Sequence, residues 1–161
     1  KKGGRILAFE PHPINYLLLV ENIRLNALSN AFPFKLALSM EQGVADLYEG
    51  KFSGSASLKA LPGRWGTNIK VKVDTLDNVI IGHLGLNPSD LRILLKVDVE
   101  GSEVEVLQGA YKVLTTAKDA KRSCASYHYV DEVIDVYRLL KEMGFKILVS
   151  DNYIVYATKH Y

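Results

Sequence analysis

The stretch Leu94–Glu103, which reads LLKVDVEGSE, decides the fold class of this chain. Its apolar side chains form the near-continuous run that is typical of a strand covered on both faces in a parallel sheet. Asp98 and Glu100 place two carboxylates where that strand ends, and a glycine follows them. Ser102 and Glu105 have the spacing of a capping box and predict the start of a helix. Because ligands of open α/β sheets bind beyond the carboxyl ends of the strands, the two carboxylates mark a candidate site.

The composition is that of one globular domain. The chain has 161 residues, 48% of them hydrophobic and 24% charged, and we expect a single domain over residues 1–161. A formal net charge of +2 gives no reason to expect a nucleic-acid partner. No apolar run is long enough to cross a membrane. The single cysteine, Cys124, lies in an apolar segment, which predicts a buried structural thiol and a reducing, cytoplasmic location.

Strands and helices alternate along the chain, and short segments between residues 43 and 77 indicate a small β insertion. The last two strands are joined only by Ser150–Asn152, which is too short for a crossover helix, so they must form an antiparallel hairpin. The order predicts an α/β fold with a mainly parallel sheet, helices on both faces and a C-terminal antiparallel hairpin. The remaining expectations are strands at 5–9, 32–38, 122–127, 145–149 and 153–158, helices at 13–28 and 131–143, a weak helix at 76–84 and a mobile loop at 59–68.

Six segments follow one another along the chain: Ala8–Pro13 (AFEPHP), Asn15–Tyr16 (NY), Asn22–Asn26 (NIRLN), Ala37–Ser39 (ALS), Leu95–Glu103 (LKVDVEGSE) and Leu107–Ala110 (LQGA). In this order they resemble the FkbM family of S-adenosylmethionine-dependent methyltransferases. The combination of the Phe-Glu-Pro segment with Asp-Val-Glu-Gly-Ser-Glu is specific, and the resemblance covers nearly the whole chain. It implies a Rossmann-like class I methyltransferase sheet, whose last two strands form an antiparallel hairpin, and S-adenosylmethionine as the cofactor.

The chain departs from the family pattern at its beginning. In the family, a first strand and a glycine-rich loop precede the strand that corresponds to the one ending at Glu10. Such a strand, loop and helix need on the order of 20 residues before the acid. Only nine residues precede Glu10 here, and Gly3 and Gly4 cannot supply the loop. We therefore expect an N-terminally truncated domain that lacks the first strand and the glycine-rich loop.

Side chains at three strand ends are candidates for cofactor binding. Glu10, with Pro11 beside it, stands where the acid of a dinucleotide fold accepts hydrogen bonds from ribose hydroxyls. The resemblance implies that Leu38 and Ser39 lie against the adenine, and Asp98 is the third candidate. The ordinary alternatives are a solvent-facing acid at a helix N-terminus for Glu10 and the start of a turn for Ser39.

Asp98, Glu100 and His128 are the candidate catalytic residues. Either carboxylate can hold the amino group of the cofactor, position an acceptor hydroxyl or take its proton. His128 ends the strand next to the signature strand and can act as a base near neutral pH. The alternatives are structural: Glu100 and Glu103 as acids that favour a helix N-terminus, and His128 as a histidine bonded at a strand end.

The resemblance implies methyl transfer, and we expect O-methylation of a hydroxyl on a small molecule or a sugar. The protein then has to align two reactants and exclude water. His12, His83 and His160 show no metal-ligand spacing, so no metal is expected. The alternative is a truncated or degenerate fold that serves as a non-catalytic binding or assembly module. The expected partner is a small-molecule or carbohydrate acceptor, without nucleic acid or membrane, and a homo-oligomer is left open.

Overall fold

The computed structural model describes residues 3–49, 56–60, 68–126, 128 and 131–160. They form two compact units, one from residues up to 37 together with 43–73, and the other from residues 38–42 together with 74 onward. Most of the loop predicted at 59–68 lies outside the described residues, as does Tyr127, the predicted end of a strand. In the described ranges, no helix has the length and apolarity that a membrane crossing needs.

The first unit begins with a strand, a helix and a second strand that runs parallel to the first, as the sequence predicted. These elements are β1 (Ile6–Phe9), α1 (Pro13–Leu25) and β2 (Ala31–Phe34). The register places Ile6 opposite Ala31 and Phe9 opposite Phe34. The two phenylalanine rings stack with their centroids 5.1 Å apart, which fixes the carboxyl ends of both strands side by side.

Helix α1 buries none of its residues, although many of them are apolar. Tyr16, Val20 and Ile23 share one face at helical spacing, yet Val20 is exposed and the other two are only half-buried. Apolar side chains surround the helix on all sides, so spacing alone could not select one inward face. The helix ends at Leu25, earlier than predicted, because Asn26 caps it with a side-chain hydrogen bond to the carbonyl of Asn22.

The single strand predicted at 32–38 is wrong. The chain leaves β2 after Phe34, bends at Lys35 and forms the two-residue strand β3, Ala37–Leu38. Pro33 has no N–H to donate, which is typical of a strand that cannot pair continuously on both sides. The β insertion predicted at 43–77 is present as an antiparallel pair, β4 (Gly43–Tyr48) and β5 (Asn68–Asp74), with Gly43 opposite Val73.

The second unit is built on a four-stranded sheet with the order β6-β7-β9-β8. Its strands are β6 (Arg92–Val97), β7 (Asp119–Ala125), β8 (Lys146–Val149) and β9 (Ile154–His160). Strand β7 pairs parallel with β6, while β9 pairs antiparallel with both β7 and β8. Three of the four strands therefore run in one direction. The predicted C-terminal hairpin is confirmed, and its second strand lies between β7 and β8.

Three helices connect these strands: α2 (Glu103–Gln108), α3 (Tyr111–Thr116) and α4 (Glu132–Glu142). The helix expected after the signature is divided near Gly109, where α2 ends before the glycine and α3 begins after it. Leu107 and Leu114 are fully buried, whereas Tyr111 is exposed. The buried thiol predicted for Cys124 is confirmed. Around it the core of the unit contains Val97, Val106, Val113, Val136, Leu140 and Val155.

Strand β6 is covered on one face only, which corrects the prediction of a strand buried on both faces. Val97 is buried, but Leu94 is 82% exposed. Successive side chains of a strand point to opposite faces, so this difference separates a covered face from an open one. The apolar run identifies the strand correctly, but it does not reveal that one face of β6 is open.

Candidate active site

The turn after β6 carries the two acids that the sequence marked as a site. Asp98 follows the strand, and Glu100 and Gly101 both adopt left-handed backbone angles, with φ of 59° and 102°. This region favours glycine, so the turn has to hold Glu100 in it. The carboxylate of Glu103 accepts hydrogen bonds from the main-chain N–H groups of Val99, at 2.9 Å, and Gly101, at 3.0 Å. These two bonds fix the turn.

Glu103 has a larger structural role than the sequence predicted. It lies in the first turn of α2, as expected of a helix-end acid, but it is fully buried. The predicted capping box is wrong, because the side chain of Ser102 makes no capping hydrogen bond to α2. Both oxygens of Glu103 instead accept N–H groups from the turn ahead of the helix, so the acid joins the end of β6 to the start of α2.

His128 follows β7, the strand that pairs parallel with β6. Its side chain is only 5% exposed. The Nδ1 atom lies 3.4 Å from Oε1 of Glu103 and 3.3 Å from Oε2 of Glu132, whereas Nε2 lies 3.7 Å from Oε1 of Glu100. The imidazole therefore stands between two fully buried carboxyl groups and one that is partly exposed.

The structure brings the three candidate catalytic residues together. One side-chain nitrogen or oxygen atom from each of Asp98, Glu100 and His128 lies within 4.8 Å of the others. Asp98 also forms an exposed ion pair with Lys96, with Nζ and Oδ2 2.9 Å apart. The three side chains converge at the carboxyl ends of two adjacent parallel strands, which is where open α/β sheets bind their ligands. Their individual roles remain predictions.

Glu132, the first residue of α4, is a site residue that the sequence analysis did not single out. It is fully buried, and its Oε2 accepts a hydrogen bond from the main-chain N–H of His128 at 2.8 Å. A signal was present in the sequence, since an acid stands four residues after the candidate histidine at the start of a helix. We call Glu103, His128 and Glu132 the buried triad.

Burial and mutual contact control the charges of the buried triad. Burial, followed by a hydrogen bond with Glu132, raises the pKa of Glu103 to about 8. Burial by itself lowers the pKa of His128, but the hydrogen bond to Glu132 and the charges of both glutamates outweigh it and raise that pKa. Burial also opposes ionisation of Glu132, yet its hydrogen bonds to His128 and Glu103 lower its pKa. The triad therefore favours one protonated carboxyl group beside an imidazolium near neutral pH.

Two overlapping sets of side chains have the spacing of metal ligands, with one atom of each residue within 4.8 Å of the others: Asp98, Glu100 and His128, and Glu103, His128 and Glu132. The expectation of no metal rested on the other histidines and stays a prediction.

His12 and His83 each contact a carboxylate. His12 contacts Glu49, and His83 contacts Asp74, each at 2.9 Å. His83 lies in the π-helical segment Asn78–His83, which replaces the weak helix predicted at 76–84.

The first unit presents Glu10 at the carboxyl end of β1, where the sequence predicted a cofactor-binding acid. Its Oε1 accepts a hydrogen bond from the main-chain N–H of His12 at 2.8 Å, across Pro11. His12 in turn caps α1, since its Nδ1 accepts the N–H of Asn15 at 3.5 Å. The carboxylate is thus held, half-buried, at the turn from strand to helix.

Leu38 and Ser39 lie in the second unit, at the end of β3. Leu38 is buried, and the N–H of Ser39 donates to the carbonyl of Asp74 at 2.9 Å. Glu10 and Pro11 belong to the first unit. The predicted cofactor-binding residues thus stand at strand ends of their own units, and their binding roles stay predictions.

Comparisons with known proteins agree with this geometry. A family model for the methyltransferase FkbM domain matches residues 1–147. Methyltransferase sdnD of Sordaria araneosa is 33% identical over 132 residues, which cover 66% of this chain and 51% of sdnD. The crystal structure of methyltransferase FkbM from Methylobacillus flagellatus KT matches with a TM-score of 0.67 and 17% identity, over 96% of this chain and 36% of that one.

The structural match confirms the α/β class expected from the sequence. The chain spans about half the length of the curated relative, at 51%. Because the family model covers most of its residues, from 1 to 147, the chain belongs to the FkbM methyltransferase family.

Proposed function

We propose that the chain is an S-adenosylmethionine-dependent methyltransferase that methylates a hydroxyl group of a small molecule or a carbohydrate. One observation carries the proposal: Asp98, Glu100 and His128 gather within 4.8 Å of one another at the carboxyl ends of β6 and β7. A proton acceptor and two carboxylates at this place suit an acceptor that has to be oriented and deprotonated. Membership of the FkbM family supplies the class of reaction.

The residues present fit the polar groups of the cofactor. Glu10 offers a half-buried carboxylate of which, within the described ranges, only Oε1 accepts a hydrogen bond, from His12. Its other oxygen is available to a ribose hydroxyl, which is the role of such an acid in dinucleotide folds. We assign Pro11 to the same turn, Leu38 and Ser39 to the adenine, and Asp98 to the amino group of the methionine part.

When bound, S-adenosylmethionine supplies an electrophilic methyl group on a sulfonium sulfur. An acceptor hydroxyl would have to lose its proton as its oxygen takes the methyl group, and the carbon–sulfur bond would break to leave S-adenosylhomocysteine. We assign this proton to Nε2 of His128, which takes it in the neutral form of the ring. The contacts of the buried triad raise the pKa of His128. His128 is therefore a stronger base than a free imidazole, and turnover should rise towards higher pH.

Glu100 has a different place in the proposal, because its carboxylate lies 3.7 Å from Nε2 of His128 and is partly exposed. An acceptor hydroxyl that donates to His128 stands beside this carboxylate. A second hydroxyl on the same acceptor can donate to Glu100, so a vicinal diol, as in a sugar, suits the pair. The turn residue thus orients the acceptor while the histidine takes the proton.

Calorimetry with S-adenosylhomocysteine tests cofactor binding in the full-length protein. We expect Glu10→Gln and Asp98→Asn to weaken binding at least about 10-fold, since each removes a charged hydrogen-bond acceptor. Glu21→Gln, an exposed acid of α1 that pairs with Arg24, and Asp90→Asn are matched controls that should leave the affinity within about 2-fold. Absence of binding by the wild type would favour the non-catalytic module, and unchanged binding in both site variants would refute the assigned residues.

Transfer of a labelled methyl group to a panel of sugars and other hydroxyl compounds tests the reaction. His128→Asn should lower turnover at least about 100-fold, which is the scale of general base catalysis, and leave the affinity for S-adenosylhomocysteine unchanged. Mass spectrometry of the product distinguishes O-methylation from methylation of nitrogen or carbon. A product methylated at nitrogen, or full turnover in His128→Asn, would refute the proposed chemistry.

A further inference from the structure

The buried triad places two carboxyl groups on one nitrogen of His128. Glu103 comes from α2 and Glu132 from α4, and both are fully buried. Their nearest oxygens lie 3.4 and 3.3 Å from Nδ1 of the imidazole. The two carboxyl groups also lie close enough for each to shift the pKa of the other. The ring is therefore oriented by two helices, with its other nitrogen directed to Glu100.

Two carboxyl groups buried this close together favour holding one proton between them. Two ionised carboxylates buried side by side repel each other, and neither can be stabilised by bulk water. A hydrogen bond between two carboxyl groups requires that one of them carries the proton. The oxygens leave room for this proton, because Oε1 of Glu132 has no hydrogen-bond partner among the described nitrogen and oxygen atoms. Both oxygens of Glu103 already accept N–H groups.

We propose that Glu103 and Glu132 are positioning residues that share one proton and keep the ring proton of neutral His128 on Nδ1, so that Nε2 faces Glu100 as the proton acceptor. The inference deepens the proposed function and rests on it in one respect: the proton that Nε2 receives comes from the acceptor hydroxyl. It adds two residues that do not touch the acceptor and that act only through the imidazole. The orientation of the ring itself does not depend on the reaction.

The other charged groups near the ring do not outweigh these contacts. Glu100, together with Asp98 beyond it, faces the ring from the turn after β6 and favours a proton at Nε2. Glu103 and Glu132 oppose it, because two carboxyl groups lie 3.4 and 3.3 Å from Nδ1, whereas Glu100 lies 3.7 Å from Nε2. From β7, the thiol of Cys124 stays neutral, because burial raises its pKa to about 12. Arg122, also on β7, packs its guanidinium group on the phenyl ring of Phe145, with the guanidinium carbon 3.3 Å from the centroid of that phenyl ring. Nδ1 thus meets Glu103 and Glu132, and Nε2 meets Glu100.

The tautomer of His128 can be read by nitrogen NMR of the imidazole, in the full-length protein without cofactor or acceptor. The assignment comes from the loss of its signals in His128→Asn. We expect neutral His128 to carry its proton on Nδ1 in the wild type. In Glu132→Gln, the Nδ1–H form should fall from the main species to a minor one, and the ring should titrate at lower pH. Asp135→Asn, an exposed acid on the same helix, is the matched control and should change neither.

Kinetics then separate positioning from a structural effect. Glu132→Gln should lower kcat at least about 10-fold, move the rise of kcat with pH to lower pH and leave the affinity for S-adenosylhomocysteine within about 2-fold. Glu103→Gln also disturbs the turn, so it is compared with Glu103→Asp, which keeps a carboxylate. If the aspartate partly restores the Nδ1–H form of His128, the result supports Glu103 as a positioning residue. The NMR result stands even where no methyl transfer is found, so the two proposals fail separately.

Two results would overturn the inference. One is a neutral His128 that carries its proton on Nε2, or a tautomer and titration that are the same in Glu132→Gln and Asp135→Asn. The other is a divalent cation between the carboxylates, since the triad also has the spacing of metal ligands. Elemental analysis would show that cation at one equivalent per chain in the wild type and not in Glu132→Gln, and a chelator would change the imidazole signals.

Discussion

Gly109 packs directly against the main chain of Ser39. A Cβ atom on Gly109 would lie 2.9 Å from the carbonyl carbon of Ser39 and would overlap its oxygen. Both residues belong to the second unit. The main chain of Gly109 is also engaged, because its carbonyl accepts the N–H of Asp77 at 2.9 Å. The end of α2 is therefore held at a distance from β3 that only glycine allows.

Gly109→Ala should destabilise the protein by about 1–3 kcal/mol, the usual cost of forcing extra atoms into a packed site. The neighbouring atoms belong to main chain, so they cannot move aside as a flexible side chain would. Urea unfolding followed by circular dichroism measures the change as a shift of the midpoint at constant slope. The matched control is Gly43→Ala, because a Cβ there meets no atom within 4 Å. Equal midpoints for Gly109→Ala and Gly43→Ala would show that the close contact at Gly109 does not affect the free energy of unfolding.

The sequence predicted those features that depend on local order. The alternation of strands and helices follows from periodicity, and the terminal hairpin follows from the short connection Ser150–Asn152. Asp98 and His128 were located because residues that follow parallel strands lie at one edge of a sheet. Each of these predictions needs only the order of elements and no knowledge of what packs on them.

The features that the sequence did not predict depend on packing between distant segments. Glu103 resembles any acid in the first turn of a helix, and only its contact with α4 shows that it is buried. The close approach of Gly109 to the main chain of Ser39 joins segments that are far apart in the sequence, and no local pattern reveals it. Leu94 reads as a core residue, but the face of β6 on which it lies is open in its unit. In each case the missing information was the identity of the neighbouring element.

Glu100 stores backbone strain at the turn after β6. With φ of 59°, it occupies a region that costs a non-glycine residue on the order of 1 kcal/mol. Glu100→Gly should therefore fold with a Tm equal to or above that of the wild type, while turnover falls because the acceptor loses its carboxylate. Gly101→Ala, at φ of 102°, should lower stability by about 1–3 kcal/mol. Calorimetric scans compare the two variants, and a Tm for Glu100→Gly well below that of the wild type would refute stored strain.

The buried triad also makes stability depend on pH, and the direction follows from its pKa shifts. The pKa of Glu103 rises from 4.5 to about 8 on folding, so its contribution is fully present below 4.5 and is lost as the pH rises towards 8. The pKa of His128 is raised above 6.5, so its contribution is also lost with rising pH. Glu132 has a lowered pKa and acts in the opposite sense, but only below about 4.5.

The free energy of unfolding should therefore decrease between about pH 5 and pH 8, since the folded protein binds more protons than the unfolded chain over this range. Each such proton contributes a slope of up to about 1.4 kcal/mol per pH unit. Urea titrations at half-unit pH intervals measure the slope. In Glu103→Gln one proton no longer titrates, so the curve should be flatter between pH 6 and 8, whereas Asp135→Asn should follow the wild type. A wild-type stability that rises from pH 6 to pH 8 would contradict the shared proton in the buried triad.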